Sequence, residues 1–161
     1  MKKSMSFLLA SISLFLFAIG CSKGTNKDFK TGLSYNYNGF SVSEVLLAGP
    51  DNIAMKSNEV QMNTSVAIVI QGLENYTLKD DKAFPGMMLT VSNKNGEEVI
   101  HNDDLFADTE GYSATDASIL RGTFPIGEPM VIGETYHVKM RVWDKNKKET
   151  ELNAEVDLLV K

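Results

Sequence analysis

The sequence contains few residues of the kinds that carry reactive chemistry. Among its 161 residues there are one cysteine, Cys21, and two histidines, His101 and His137. A single cysteine excludes a disulfide within the chain. A zinc site would need both histidines together with a carboxylate such as Asp103, and strand order alone does not bring these residues together. The sequence therefore predicts a protein that is not an enzyme and that needs no cofactor.

Basic residues are also too few for some classes of partner. The 16 lysines and arginines face 21 aspartates and glutamates, which gives a formal net charge of −5. Loss of residues 1–20 would change this charge to −7, because it removes two lysines and no acid. Nucleic acids are bound through a basic stripe or patch. The composition therefore argues against nucleic acid as a partner and against attraction of the mature chain to anionic lipid.

Long hydrophobic runs are absent except near the N-terminus. Lys2 and Lys3 precede an uncharged run, Phe7–Ile19. Of the two small residues near its end, Ala18 lies inside the run and Gly20 directly follows it. As a helix this run would span roughly 20 Å, whereas the hydrocarbon of a bilayer is roughly 30 Å thick. A short apolar run with a basic start and small residues at its end is typical of a secretion signal. The N-terminus is therefore predicted to be an export signal rather than a permanent membrane helix.

The end of this signal, Phe17–Cys21, resembles the lipobox of bacterial lipoproteins. The resemblance implies cleavage between Gly20 and Cys21, a diacylglycerol thioether on the Cys21 sulfur, and an acyl chain such as palmitate on the new amino group. Two or more acyl chains hold a protein firmly to a bilayer. Ala18 stands where leucine is most common in this family, which leaves ordinary cleavage at an Ala-x-Gly site open.

The residues after the cysteine bear on the location implied by this resemblance. Ser22 stands where an aspartate would retain a lipoprotein in the inner membrane, so the outer membrane of the bacterial cell envelope is expected. Lys23 is followed by Gly24 and Thr25 rather than by acids. The choice between the periplasmic and the outward-facing side therefore stays open.

Composition divides the chain into three segments. We expect residues 1–20 to form the signal, residues 21–38 to form a lipidated N-terminus with a polar, flexible tether, and residues 39–161 to form one domain. Tyr35 and Tyr37 alternate with polar residues, so the end of the tether alternatively begins the first strand.

Several segments of the domain predict β-strands. Phe40–Ala48 reads as a strand whose alternation breaks at residues 45–47, which predicts a bulge. Thr64–Gln71 has apolar residues at both odd and even positions, as in a central strand that is covered on both faces. Residues 93–96, Asn-Lys-Asn-Gly, predict a tight hairpin turn between strands at 87–92 and 97–101.

The C-terminal residues predict a β-hairpin with one buried face. In residues 135–143 and 150–161 the apolar residues occupy even positions, and charged residues occupy most odd positions. For the odd side chains to share a face, the loop at residues 145–148 must have an odd length or contain a bulge. Lys139 would then oppose Glu155, or Arg141 would oppose Glu151 in the neighbouring register.

The residues before this hairpin give the expected fold. Gly133–Tyr136, Gly-Glu-Thr-Tyr, resembles the tyrosine corner of immunoglobulin-like domains. Short strands with regular turns and few helical signals agree with this resemblance. The expected fold is all-β, an immunoglobulin-like two-sheet antiparallel β-sandwich of about seven strands, with a small open β-barrel as the alternative.

A ligand surface is predicted around Trp143. Trp143 and Arg141 fall at the polar positions of their strand, and an exposed tryptophan can stack on a sugar or anchor a protein partner. Tyr35 and Tyr37 would extend the same surface. The alternative is that Trp143 is a rim residue covered by the preceding loop.

An acidic loop at residues 102–112 raises the question of calcium. Its carboxylates supply the hard oxygen ligands that calcium prefers, and the four candidates are Asp103, Asp104, Asp108 and Glu110. Their spacing follows no known calcium-loop pattern. The alternative is a solvated loop that Leu105 and Phe106 fix to the core, and the sequence therefore predicts no resident metal.

Three functions remain compatible with the sequence. The preferred one is a lipid-anchored envelope lipoprotein that acts as a non-enzymatic binding or scaffold module for an envelope protein or a glycan. The second is an envelope hydrolase acting on glycan or peptide, which would need two carboxylates or a histidine and a carboxylate in one pocket. The third is a structural subunit of an envelope assembly, which would expose a large apolar patch or an unpaired strand edge.

Overall fold

Alternating apolar and polar residues form ten β-strands in the part of the chain that the computed structural model describes, residues 22–161. The strands are β1 (Lys23–Lys27), β2 (Ser34–Asn38), β3 (Glu44–Ala48), β4 (Glu59–Val60), β5 (Thr64–Gln71), β6 (Pro85–Ser92), β7 (Glu98–Asn102), β8 (Ile119–Ile126), β9 (Thr135–Asp144) and β10 (Lys147–Val160). One 3₁₀ turn, Asp116–Ser118, precedes β8. The predicted signal, with Gly20 and Cys21, lies outside the described residues. No helix between residues 22 and 161 is long and apolar enough to cross a membrane.

The strands form the two sheets of a β-sandwich. The large sheet has the order β1-β2-β10-β9-β6-β7, with β4 parallel to the end of β10, and the small sheet has the order β3-β5-β8. Within the fold, β10-β9-β6-β7 correspond to strands G, F, C and C′ of an immunoglobulin domain, and β3-β5-β8 correspond to A, B and E. The all-β sandwich prediction is confirmed, and the open-barrel alternative is wrong because the two sheets do not close into a barrel.

One continuous core fills the space between the sheets. Its largest fully buried side chains include Phe40, Ile68 and Phe124. Gly122 of β8 lies so close to the large sheet that an added Cβ would stand 2.8 Å from the Sδ atom of Met140. Close packing of this kind makes the two sheets one body.

The C-terminal hairpin has one of the two predicted registers. β10 pairs with β9 so that Lys139 is opposite Glu155, and the register shifts between Lys147 and Glu151. This shift is a bulge, one of the two connections that the alternation allowed, and it places every apolar even position on the core face. Arg141 and Glu151 lie diagonally and still form an ion pair, with 2.7 Å between Nε and Oε2.

The tyrosine corner and the central strand are also as predicted. The backbone N–H of Val131 donates a hydrogen bond of 2.9 Å to the Tyr136 hydroxyl oxygen, at the start of strand F. β5 lies between β3 and β8, and its residues 66–70 are all buried. Residues 93–96 make the turn between β6 and β7, closed by a 3.0 Å bond from the Gly96 N–H to the Asn93 carbonyl.

Residues 22–38 are not the predicted flexible tether. β1 and β2 form a hairpin, and β2 pairs with β10 along residues 151–155 of that strand. The polar composition misled the interpretation because β1 is an edge strand, where polar side chains are normal. Tyr35 and Leu33 supply the core contacts that hold the hairpin in place.

Two smaller expectations, the bulge in β3 and the number of strands, are wrong. β3 pairs with β5 in continuous register through Leu46, so the predicted bulge is absent. The apparent break in alternation arises because Leu46 packs with Val69 on the outer face of the small sheet. The count of about seven strands was too low, since the hairpin β1–β2 and the short β4 extend the immunoglobulin-like set.

Candidate functional site

Trp143 and Arg141 lie on the outer face of the large sheet, as predicted. Trp143 pairs with Glu151 on one side and with Gly86 on the other. Its indole ring covers Gly86 so closely that an added Cβ would overlap the ring. The Arg141 Cζ atom lies 5.3 Å from the ring centroid, within cation–π range. Trp143 is therefore half-buried, fixed between a glycine and an arginine rather than projecting into solvent.

Tyr35 and Tyr37 lie on the opposite face from Trp143, so the prediction that they extend its surface is wrong. In β2 they pair with Ala154 and Leu152, which point into the core. The two rings stack with 6.5 Å between their centroids, and the Tyr35 hydroxyl accepts a 3.1 Å hydrogen bond from the Asn26 side chain. These tyrosines attach the hairpin to the core instead of binding a ligand.

A groove of about 400 Å³ lies on the outer face beside Arg141. We call it the outer groove, and its lining includes Thr25, Asn36, Met88, Arg141, Asn153 and Glu155. Asn36 and Asn153 are direct cross-strand partners. Within residues 22–161 neither of these two amide side chains makes a hydrogen bond. Since both strands are flanked by neighbours, their backbones hold the Cα atoms of the two residues side by side.

The charges around the outer groove are balanced. Arg141 bonds to Glu151, and Lys139 stands opposite Glu155 across the strand pair. Glu155 also lies 3.7 Å from the Nε2 atom of His137. Two basic and two acidic side chains therefore lie in or beside the groove.

The acidic loop uses its best-placed carboxylate for structure. Oδ1 of Asp104 accepts hydrogen bonds from the N–H groups of Met87 (3.0 Å) and Phe106 (2.9 Å), and Oδ2 pairs with Lys145 Nζ at 2.8 Å. Burial raises the pKa of Asp104, but the hydrogen bonds from Lys145 and these N–H groups outweigh it and lower the pKa below its ordinary value. Asp104 is already neutralised by a cation.

The other calcium candidates do not join Asp104. Asp103 is almost fully exposed and bonds to His101 Nε2 at 2.8 Å, and Asp108 and Glu110 are exposed. Within the described chain no group of three or more His, Cys, Asp or Glu residues is arranged to hold a metal ion. The loop follows the alternative interpretation in part, because Phe106 packs on the core while Leu105 is 40% exposed.

The two histidines are held by separate carboxylates. His101 lies between Glu98 and Asp103, and its hydrogen bond to Asp103 raises its pKa. His137 bonds through Nδ1 to Asp157 at 2.6 Å. With no carboxylate in common, the pair does not form the zinc site that the sequence analysis considered.

A second, larger cleft of about 560 Å³ lies between the β1–β2 hairpin and β3. Its rim carries Lys27, Lys30 and Glu44, long side chains that form no salt bridge among residues 22–161. Such side chains lose rotamer freedom when they order around a ligand. The outer groove is the better candidate because Asn36 and Asn153 are short polar residues that lie side by side on adjacent strands.

Comparison of the sequence with protein-family models and with curated proteins finds no match. The site therefore rests on geometry alone. Sequence reasoning found Trp143 and Arg141 but missed Asn36 and Asn153. Asn153 carried a usable signal, since it occupies an outward position of a predicted strand two residues from Glu151.

Proposed function

We propose that this chain is a lipid-anchored, non-enzymatic binding module of the bacterial cell envelope, attached to the outer membrane through Cys21. The observation that carries the proposal is how soon the fold begins after that residue. β1 starts at Lys23, and the carbonyl of Ser22 already accepts a 2.7 Å hydrogen bond from the Gly39 N–H. Acyl chains on Cys21 would therefore hold the folded domain directly against the membrane.

The end of the sandwich that would face the membrane is cross-linked by hydrogen bonds. The Asn38 side chain donates to the Glu149 carbonyl at 2.7 Å. Asp144 is fully buried there and accepts bonds from the N–H groups of Thr77 (2.7 Å) and Asn146 (2.9 Å). A rigid membrane-proximal end would fix the height of the outer groove above the bilayer.

The outer groove supports a binding role. The carboxylate that lines it, Glu155, lies opposite Lys139 and 3.7 Å from the Nε2 atom of His137. Its amides are arranged to donate and accept hydrogen bonds. Small-ligand sites commonly combine a preformed concave surface with a few such groups.

The anchor is tested by labelling cells with radioactive palmitate. The wild-type chain should carry label and remain in the membrane fraction after a high-salt wash, whereas Cys21→Ser should carry none and leave the membrane. Ser22→Ala, which keeps the cysteine, is the matched control and should behave as wild type. A wild-type chain that carries no acyl mass on Cys21 and washes off in plain buffer would refute the anchor.

A structural role in an envelope assembly is the second candidate. Val131 and Ile132 are 56% and 63% exposed, at the end of the sandwich opposite to Ser22. Adjacent exposed apolar residues favour a protein contact. If this candidate holds, Ile132→Ser should lower the apparent molecular mass of the detergent-solubilised complex in ultracentrifugation, while Ile119→Ser, which changes an equally exposed isoleucine on another face, should not.

A further inference from the structure

We infer that the outer groove is a binding site for a neutral saccharide, recognised by the paired amides of Asn36 and Asn153. The inference deepens the proposed binding function and rests on it. It assigns a ligand class to residues that sequence reasoning did not single out.

The backbone groups at the floor of the groove are not available to bind a peptide by strand addition. Asn36 pairs with Thr25 on one side and with Asn153 on the other, and Asn153 pairs further with Arg141. The backbone groups of these residues are therefore used within the sheet. Peptides that bind by strand addition need an open sheet edge. A ligand on this floor must be recognised by side chains alone.

The side chains on the floor match hydroxyl groups. Each amide has one acceptor oxygen and two N–H donors, and a hydroxyl both donates and accepts. Because Asn36 and Asn153 have no partners among the described residues, a ligand bonds to them without breaking an internal contact. Two adjacent amides with mixed donors and acceptors favour a ligand that presents several neighbouring hydroxyls.

The charge and polarity of the lining narrow the ligand further. Arg141 is ion-paired with Glu151, and Lys139 and Glu155 lie opposite each other on adjacent strands, so basic and acidic side chains balance here and favour a neutral ligand. At the β6 side of the groove Met88 is an apolar side chain that points outward, in register with Arg141. A single methionine is too little apolar surface for an acyl chain, but it suits the apolar face of one sugar ring. The volume of about 400 Å³ falls in the range of small-ligand sites.

The position of the groove allows two sources of the same saccharide. Thr25 is three residues from Ser22, which is about 10 Å along an extended strand. At that height an anchored domain would reach the sugar headgroup of a membrane glycolipid as well as a free oligosaccharide. The shared chemistry is a neutral, hydroxyl-rich sugar.

Trp143 provides the readout for a test. It is the only tryptophan in the chain, and Arg141 lies over its ring while lining the groove. Full-length acylated protein in a zwitterionic detergent without a sugar headgroup is titrated with neutral di- to tetrasaccharides of glucose, galactose and N-acetylglucosamine. In a second arm the protein is reconstituted in phosphatidylcholine vesicles with or without digalactosyl diacylglycerol. We expect a saturable change in tryptophan fluorescence in at least one arm.

Variants separate this inference from the proposed anchor. Asn36→Ala/Asn153→Ala should raise the dissociation constant at least tenfold with an unchanged unfolding midpoint, and Asn95→Ala, which removes an exposed amide in a distant turn, should leave it unchanged. A response to free sugar locates the ligand outside the lipid, and a response to the glycolipid alone assigns it to the membrane. No response in either arm, or equal binding by the double variant, would overturn the inference while leaving the palmitate result intact.

Discussion

The indole ring of Trp143 lies directly over Gly86 on the neighbouring strand, where a Cβ atom would overlap the ring. Aromatic side chains that cover a glycine in a sheet replace the missing side-chain contacts of that glycine. Trp143 therefore packs on the sheet as well as belonging to the candidate site, and its orientation toward Arg141 depends on Gly86 having no side chain.

Gly86→Ala is expected to displace Trp143 and destabilise the domain. The added methyl group has no space beneath the ring, and overpacking of this kind costs about 1–3 kcal/mol. Urea unfolding followed by tryptophan fluorescence measures both the loss of stability and the new environment of the ring. Gly127→Ala is the matched control, since nothing lies within 4 Å of a Cβ at that position. Equal stability of the two variants would contradict the packing described here.

Asp104→Asn is expected to lower stability in a pH-dependent way. Because the folded pKa of Asp104 lies below its ordinary value, the charged carboxylate stabilises the fold above about pH 4, the unfolded value, and this contribution is lost as pH falls through the folded pKa. The difference in the free energy of unfolding from wild type should be about 1–3 kcal/mol at pH 7.

That difference should shrink steadily below pH 4 when unfolding is measured at each pH. Asp108→Asn changes an exposed carboxylate of the same loop and should shift stability by less than about 0.5 kcal/mol. A loss for Asp104→Asn that does not vary with pH would mean that packing, not charge, holds the loop to Lys145.

Tyr136→Phe is expected to weaken the corner between β8 and β9. The substitution removes the acceptor of the Val131 N–H while it keeps the ring. An unsatisfied, part-buried N–H costs about 1–2 kcal/mol. The urea midpoint should fall with an unchanged m-value. Tyr112→Phe removes a hydroxyl that makes no hydrogen bond in the described chain, and its midpoint should stay at the wild-type value.

The ion pair between Arg141 and Glu151 should contribute little to stability. Its Arg side chain is 41% exposed, so solvent screens the attraction. A double-mutant cycle with alanine at both positions should give a coupling energy of about 0.2–1 kcal/mol, which decreases as salt is added. The more exposed pair Lys94–Glu134 should give a smaller coupling. A coupling above about 2 kcal/mol would show that the pair acts as part of a larger network.

The parts of the fold that sequence could predict are those in which local pattern and tertiary packing agree. The alternation in residues 135–160 predicted two neighbouring registers of the β9–β10 hairpin, joined by an odd loop or a bulge, because one face of that hairpin is buried and the other is charged. The Asn-Gly turn and Tyr136 were equally local signals.

The remainder depended on partners that are distant in sequence. Residues 22–38 have the polar composition of a tether. They form an edge hairpin because β10 supplies the neighbouring strand, and the local sequence does not show that pairing. Tyr35 and Trp143 lie on opposite faces of the sheet because Tyr35 pairs with Ala154. No local sequence pattern shows this pairing. Asn36 and Asn153 meet for the same reason, and this is why the outer groove was missed.

The β1–β2 hairpin also protects the fold from self-association. It covers residues 151–155 of the long strand β10, and β4 covers residues 159–160 of the same edge. On this side of the large sheet the edge strand is β1, a short strand that carries Lys23 and Lys27, which are unfavourable for pairing with another chain. Proteolysis that released residues 22–38 would uncover a row of unpaired backbone amides on β10. Loss of this hairpin would therefore make the domain prone to aggregate through intermolecular β-sheets.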